Sequence, residues 1–268
     1  MAELSRHDAW QAGESYDVYM GRWSRQIAPL FLDRLEAAEG LDWLDVGCGT
    51  GALSEAILAR CKPKRLTGID PSHGFISRAR RFGHNPRATF DIGDAEALPI
   101  ASASFDVVVS GLVLNFVPDR LRALEEMKRT ARPNGRVCFY VWDYPGGGVE
   151  FMSAFWTAAT SLDPDAADLS EARRFPFCEP SALTELARAA GLASIACEAI
   201  EAPTVFRDFD DFWHPFTLGA GPAPGYCASL DPEKRAALRR ALQERLPFGA
   251  DGSIALKVKA WAISSTVV

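Results

Sequence analysis

The sequence predicts a doubly wound α/β fold on a mostly parallel sheet. Three observations carry that prediction. From about residue 41, short apolar runs alternate with helical patterns, the β-α-β-α rhythm of right-handed crossovers. The first run ends in a glycine-rich turn, Gly47-Cys48-Gly49-Thr50-Gly51. The fourth run, Phe105 to Ser110, is valine-rich and apolar almost throughout, which suits a central parallel strand buried on both faces.

The elements follow in order. Leu41 to Val46 reads as the first strand, and Leu53, Ala56, Ile57 and Cys61 recur behind it at helical spacing. Leu66 to Ile69 is the second strand, and Phe75, Ile76 and Ala79 begin a second helix. Ala88 to Ile92 is the third strand. Pro118 stands where a first helical turn is expected. Leu121, Leu124, Met127 and Ala131 follow at spacings of three and four, until Pro133-Asn134-Gly135 stops the helix. Arg136 to Trp142 is the fifth strand.

The second half is less regular. A helix is expected around Phe151 to Leu162, and another from Pro180 that Gly191 closes. A strand is expected near Ile195 to Ile200. Residues 203–230 are rich in aromatics, proline and glycine, and Asp231-Pro232 reads as the cap of a helix through Leu246. Ile254 to Ile263 alternates strictly, the pattern of a half-exposed antiparallel strand.

The chain has 268 residues, enough for one large α/β domain with insertions. Its formal charge of −6 gives no general attraction to phosphate backbones or anionic membranes, so a nucleic-acid partner is not expected. The six cysteines include no CxxC pair and no zinc spacing, so no metal is expected. Met1 to Ser15 is polar and charged, with no visible secretory signal. The apolar stretch Val107 to Val117 is too short for a membrane span. A reduced, cytoplasmic protein is the expectation.

The chemistry is concentrated at strand ends. Asp45 lies two residues before Gly47, poorly placed for a pyrophosphate but suited to a ligand with a cationic amine. Asp70 ends the second strand, where a carboxylate accepts ribose hydroxyls. Gly93-Asp94-Ala95 ends the third, where Asp94 can accept from an adenine amine and Ala95 can offer its backbone N–H. Each aspartate alone is as easily a cap or turn residue. Three at consecutive strand ends behind one glycine loop are not.

DVGCGTG, GIDPS (Gly68 to Ser72), GDAEALP (Gly93 to Pro99) and FDVVVSGLVLNFVPD (Phe105 to Asp119) together resemble the class I S-adenosylmethionine (SAM)-dependent methyltransferases. The likeness is to the small-molecule branch that includes the ubiquinone/menaquinone C-methyltransferases. It covers residues 16–144 well. It implies a Rossmann-like, seven-stranded sheet with the last strand antiparallel and helical lid insertions. The implied single domain has cofactor-capping helices in 1–40, a SAM-binding core in 41–144, substrate-side insertions in 145–179 and 203–250, and a last strand in 254–263. By the same resemblance Gly47 and Gly49 approach the methionine part of SAM, Asp70 holds the ribose with Pro71 and Ser72 beside it, and Asp94 and Ala95 read the adenine. Ser110 and Leu112 line the methionine side. Tyr19 and Trp23, in the segment Tyr16 to Arg25, close over the cofactor, and Arg22 or Arg25 reaches its carboxylate.

SAM carries its own activation, so an obligatory catalytic residue need not exist. Oxygen or carbon acceptors need a proton removed, and the two candidate bases are His214 and Asp143. Each is weighed against a plainer role, His214 as a packed loop histidine and Asp143 as a strand-ending turn residue. His73, His7 and His84 have less support. The loop Ser110 to Asn115 lacks the Asn/Asp-Pro-Pro-aromatic motif, which argues against adenine N6 or glutamine amide methylation. The basic runs, Lys62 to Arg65 and Arg78 to Arg87, read as solvated faces, with an RNA patch as the sharper alternative. Phe151, Phe155, Trp156, Phe206, Phe209, Phe212, Trp213 and Phe216 suggest an apolar or aromatic small-molecule acceptor. Two other readings stay open: an NAD(P)-dependent oxidoreductase, and a SAM-binding protein without methyl transfer.

Overall fold

The computed structural model describes residues 17–82, 85–219 and 221–268. Tyr16, His7, His84 and the Met1–Ser15 segment lie outside them. Seven strands form one sheet in the order β3-β2-β1-β4-β5-β7-β6. They are β1 (Asp42–Val46), β2 (Arg65–Asp70), β3 (Ala88–Ile92), β4 (Phe105–Gly111), β5 (Ala131–Trp142), β6 (Ala193–Phe206) and β7 (Ile254–Thr266). The first five pair in parallel, and β7 runs antiparallel to β5. The doubly wound order and the antiparallel last strand are as expected.

The described residues divide into two compact units. A sheet unit holds residues 24–142, 177–200 and 260–268. An aromatic unit holds 17–23, 143–176 and 201–259. The helices are α1 (Arg22–Leu35), α2 (Ala52–Arg60), α3 (His73–Ala79), α4 (Arg120–Thr130), α5 (Glu150–Leu162), α6 (Glu171–Arg174), α7 (Pro180–Ala189), α8 (Phe209–Trp213), α9 (Pro222–Ser229) and α10 (Pro232–Arg245).

In the sheet unit the burial of β1 and β4 matches their apolar text. Trp43, Leu44, Val107, Val108 and Val109 are all buried, the signature of central parallel strands. Gly68 of β2 is a packing position, because a Cβ there would lie 2.5 Å from the Phe90 ring. Phe90 instead packs with Cys48, Ile76 and Ala79.

Several boundaries differ from expectation. Helix α4 starts at Arg120, because Asp119 caps it by accepting from the Arg122 N–H, so Pro118 precedes the cap. Its buried face is Ala123, Leu124, Glu126, Met127 and Thr130, while Leu121 faces solvent. Apolar spacing misplaced that face because a glutamate occupies it. Strand β5 already pairs at Ala131, and its register against β4 then shifts so that Arg136 meets Val107. Pro133 to Gly135 is therefore an irregularity within β5, with Asn134 at φ 63°. Strand β6 continues to Phe206 and β7 to Thr266, both beyond their apolar alternation. Gly191 (φ 72°) and Asp231 do close and cap their helices.

Candidate active site

Parallel pairing brings the carboxyl ends of β1, β2, β3 and β4 to one edge of the sheet unit, where open α/β sheets hold ligands. After β1 the chain folds over β2, with the Gly47 and Cys48 N–H groups both donating to the Ile69 carbonyl at 2.7 and 3.0 Å. Gly47 adopts φ 72°, and a Cβ on it would overlap the Val113 side chain, so the turn needs glycine twice over. The Gly49 N–H donates to Asp70 Oδ2 at 3.0 Å, and the Ser72 N–H donates to Asp70 Oδ1 at 2.8 Å. Asp70 is thereby fixed between the glycine turn and its own turn. Each oxygen keeps further acceptor capacity. Burial raises its carboxyl pKa, opposed by these two N–H groups. Ser72 caps α3 by accepting from the Phe75 N–H, and Pro71 is exposed.

Asp45 is the most perturbed carboxyl of this edge. Oδ2 accepts from Ser54 Oγ at 2.6 Å, while Oδ1 is buried without a partner. Burial pushes its pKa up to about 7; the Ser54 hydrogen bond opposes the rise and the Asp70 charge adds to it. A carboxyl left this way is relieved by a cationic group. Two further buried side chains at the end of β4 have unpartnered polar atoms: the Ser110 hydroxyl and both ends of the Asn115 amide. Leu112 (φ 63°) is buried, its N–H donating to the Tyr140 carbonyl. Asp94 is exposed, with Oδ1 accepting from the Glu96 N–H, and Ala95 is buried.

The sequence reading missed Ser54, which fixes the Asp45 carboxylate. Its signal was a serine among Leu53, Ala56 and Ile57 on the buried face of α2. Glu126 and Arg129 of α4, whose side chains hold the loop after β3, were missed as well.

Tyr19, Trp23, Asp143 and His214 belong to the aromatic unit. Tyr19 is fully buried, edge-on to Phe151 and Phe216 at 6.0 and 5.4 Å. Burial holds its phenol well above the ordinary tyrosine range, and the Glu171 and Tyr144 charges add to this. Trp23 packs on Phe206 at 5.1 Å. The Arg22 guanidinium lies 4.2 Å over the Trp23 ring and pairs with Asp211 at 2.9 Å. In the sheet unit, Arg25 faces Glu55 at 3.7 Å. Asp143 accepts from the Gly146 N–H at 3.0 Å and from Lys259 Nζ at 3.2 Å, the contacts of a turn residue paired with a cation. His214 is exposed in a short turn. The Asp143 carboxylate is thus engaged, unlike Asp45 Oδ1, which is buried without a partner. Part of the basic run is engaged locally, with Lys62 on Glu39 and Arg80 on Asp91 and the Phe90 carbonyl.

Comparison with known proteins agrees with this geometry. Residues 44–139 match the model of a methyltransferase domain. The chain is 30% identical over 152 residues to the 2-phytyl-1,4-naphtoquinone methyltransferase of Thermosynechococcus vestitus, covering 56% of this chain and 68% of that protein. It is 32% identical to the malonyl-[acyl-carrier protein] O-methyltransferase of Serratia marcescens, over 48% of this chain and 49% of the other. The fold superimposes on phosphoethanolamine N-methyltransferase 2 of Haemonchus contortus, solved with S-adenosyl-L-methionine, with a TM-score of 0.56 at 16% identity. That match covers 95% of this chain and 56% of that one. The chain spans about half the length of several curated relatives it matches. It belongs to the class I SAM-dependent methyltransferases, which sets aside the NAD(P)-dependent oxidoreductase.

Among the described residues, no helix is long and apolar enough to cross a membrane.

Proposed function

We propose that this protein transfers the methyl group of SAM to a small-molecule acceptor, releasing S-adenosylhomocysteine (SAH). The observation that carries the reading is the buried, unpartnered Asp45 Oδ1 beside the glycine turn. A ligand amine neutralises it, where a pyrophosphate would repel it. The Ser110 hydroxyl, also buried without a partner, and the remaining acceptor capacity of Asp70 fit the same cofactor. Gly47 and Gly49 let the backbone approach it, Leu112 adds apolar surface, and Pro71 and Ser72 flank the ribose aspartate. Asp94 accepts from the adenine amine and Ala95 donates its N–H. The resemblance assigns Tyr19 and Trp23 to a cofactor-capping segment within 1–40, beside a 41–144 core and insertions at 145–179 and 203–250.

When bound, SAM supplies an electrophilic methyl group on a sulfonium. The residues of the sheet unit then have to orient the cofactor and hold its charges; holding the acceptor in line supplies much of the rate. The acceptor is apolar or aromatic. Supporting this are the 2-phytyl-1,4-naphtoquinone named for one relative and the buried aromatic side chains of residues 143–259. The charge of −6 and the missing Asn/Asp-Pro-Pro-aromatic motif favour a small molecule over nucleic acid, and the cysteine content favours a cytoplasmic setting.

The test is calorimetric titration with SAM, SAH, NAD and NADP, followed by methyl transfer from labelled SAM to naphthoquinol and acyl-carboxylate acceptors. Binding of SAM and SAH without either dinucleotide is expected, with label in one acceptor class. Binding without any transfer would favour a SAM-binding protein that does no methylation.

A further inference from the structure

The loop that follows β3 has no regular structure of its own, yet it carries Asp94 and Ala95. Its near end is closed by backbone bonds, Gly93 N–H to the Asp70 carbonyl and Ala97 N–H to the Asp94 carbonyl, and its far end is held by the side chains of one helix. On α4 the buried Glu126 carboxylate accepts from the Leu98 N–H at 2.9 Å. The same carboxylate takes a two-pronged pair from Arg129, Nε to Oε1 at 2.8 Å and Nη2 to Oε2 at 2.7 Å. The Arg129 guanidinium then donates onward to the loop: Nη2 to the Leu98 carbonyl at 3.1 Å, Nη1 to the Ile100 carbonyl at 2.7 Å and to Ser102 Oγ at 3.3 Å. The near end of the loop is tied to the same helix. Glu96 Oε1 accepts from the Asp119 N–H at 2.9 Å, and the Glu96 carbonyl from Arg122 Nε at 3.2 Å. Asp94 itself accepts from the Glu96 N–H. The Glu126–Arg129 pair therefore fixes Leu98 to Ser102, and the backbone runs directly from Leu98 through Ala97, whose N–H donates to the Asp94 carbonyl at 3.2 Å, to the Asp94–Ala95 segment.

Such a design has a physical logic. A loop reads a flat heterocycle only if its donor and acceptor are held within a few tenths of an ångström, and a loop without ladder hydrogen bonds cannot hold them alone. A planar guanidinium locked on a buried carboxylate is a rigid fork that can take several carbonyls at once. Glu126 interrupts the apolar face of α4 at a position packing would give to an aliphatic residue. There its carboxylate accepts from the Leu98 N–H and from the Arg129 fork.

We infer that Glu126 and Arg129 are positioning residues for base recognition, setting the Asp94–Ala95 segment so that the site selects a 6-amino over a 6-oxo purine. The inference rests on the SAM reading above. Asp94 accepts from a 6-amino group, whereas a 6-oxo group would face it with a second acceptor.

The experiment is calorimetric titration of wild type, Glu126→Gln and Arg129→Lys with SAH and its 6-oxo analogue S-inosylhomocysteine, with thermal melting of each protein in parallel. Glu126→Gln keeps an acceptor for the Leu98 N–H but loses the charged fork, and Arg129→Lys keeps the charge but cannot take the carbonyls together. Wild type is expected to prefer SAH by about tenfold or more, the worth of one hydrogen bond gained and one repulsion avoided. In either variant the preference should collapse toward unity. Lysine serves as a second variant should the glutamine protein not fold. If the preference stays intact while affinity or melting temperature falls, the pair is merely structural and the inference is wrong. If wild type does not bind SAH, the cofactor reading fails as well, an outcome distinct from SAH binding with unchanged selectivity.

Discussion

The two units of this chain are built on opposite principles. The edge of the sheet unit is polar and specific: Asp45, Asp70 and Asp94 close three adjacent parallel strands, each with named hydrogen-bond partners. The interior of the aromatic unit is a ring-on-ring mosaic, in which Phe155 stacks on Phe216 at 4.5 Å and Phe151 touches Tyr19, Trp23 and Phe206. The first carries buried polar groups and hydrogen-bonded carboxylates, the second packed rings. They should therefore fail differently. Phe155→Ala, at a fully buried position, should lower unfolding free energy by about 3–5 kcal/mol in chemical denaturation. A loss under about 1 kcal/mol would mean that the stacked pair is loosely packed and the contrast overdrawn.

Asp70→Ala probes the other side of the comparison. Here the expected loss is in ligand affinity, roughly 100-fold for SAH, from two charge-assisted ribose contacts. Calorimetry checks it. An unchanged affinity would remove Asp70 from the ribose site and leave it as the staple between Gly49 and Ser72.

The same contrast decides what was legible from sequence. Asp45, Asp70 and Asp94 stand out as candidates in the sequence because parallel strands end at one edge and the residue types there are few and chemically distinct. The positions of the first five strands followed from short apolar runs, and the antiparallel β7 from strict alternation. Partners distant in sequence were not readable. Nothing local in Asp143 announces Lys259, or in Arg22 announces Asp211, and both pairs changed how a candidate residue reads. Glu126 hid for another reason: helical spacing treats a glutamate as solvent-facing, so the buried face of α4 was drawn through Leu121 instead. Aromatic residues in 203–230 gave composition without geometry, because which ring meets which is settled by packing among segments far apart in the chain.

Asp45 offers a titration that sharpens the comparison further. Its folded pKa, about 7, lies above its ordinary value of 3.8, so between pH 4 and 7 the ligand-free folded state holds a proton that the unfolded state has lost. Stability of the free protein should fall as pH rises through that window, by up to about 1.4 kcal/mol per unit. Affinity should move the other way, because a cationic amine needs the ionised carboxylate. SAH binding should tighten up to about tenfold per pH unit below 7, then level off. Asp45→Asn should flatten both profiles. Parallel rather than opposed slopes would show that Asp45 does not meet a positive charge.

The smallest effect is expected at His214. The residue is exposed, and its carbonyl, not its ring, holds the turn by accepting from Thr217 Oγ1 at 2.7 Å. His214→Ala should change stability by no more than about 0.5 kcal/mol, the usual range for a surface substitution, with turnover within about twofold. A general base would behave otherwise, its removal costing on the order of 100-fold or more. Steady-state rates with whichever acceptor takes the label from SAM separate the two. A large loss in kcat with normal melting would place chemistry in the region that now reads as packing. An unchanged rate would leave orientation by the sheet unit as the main source of catalysis, since Asp143 is already engaged by Lys259 and the Gly146 N–H.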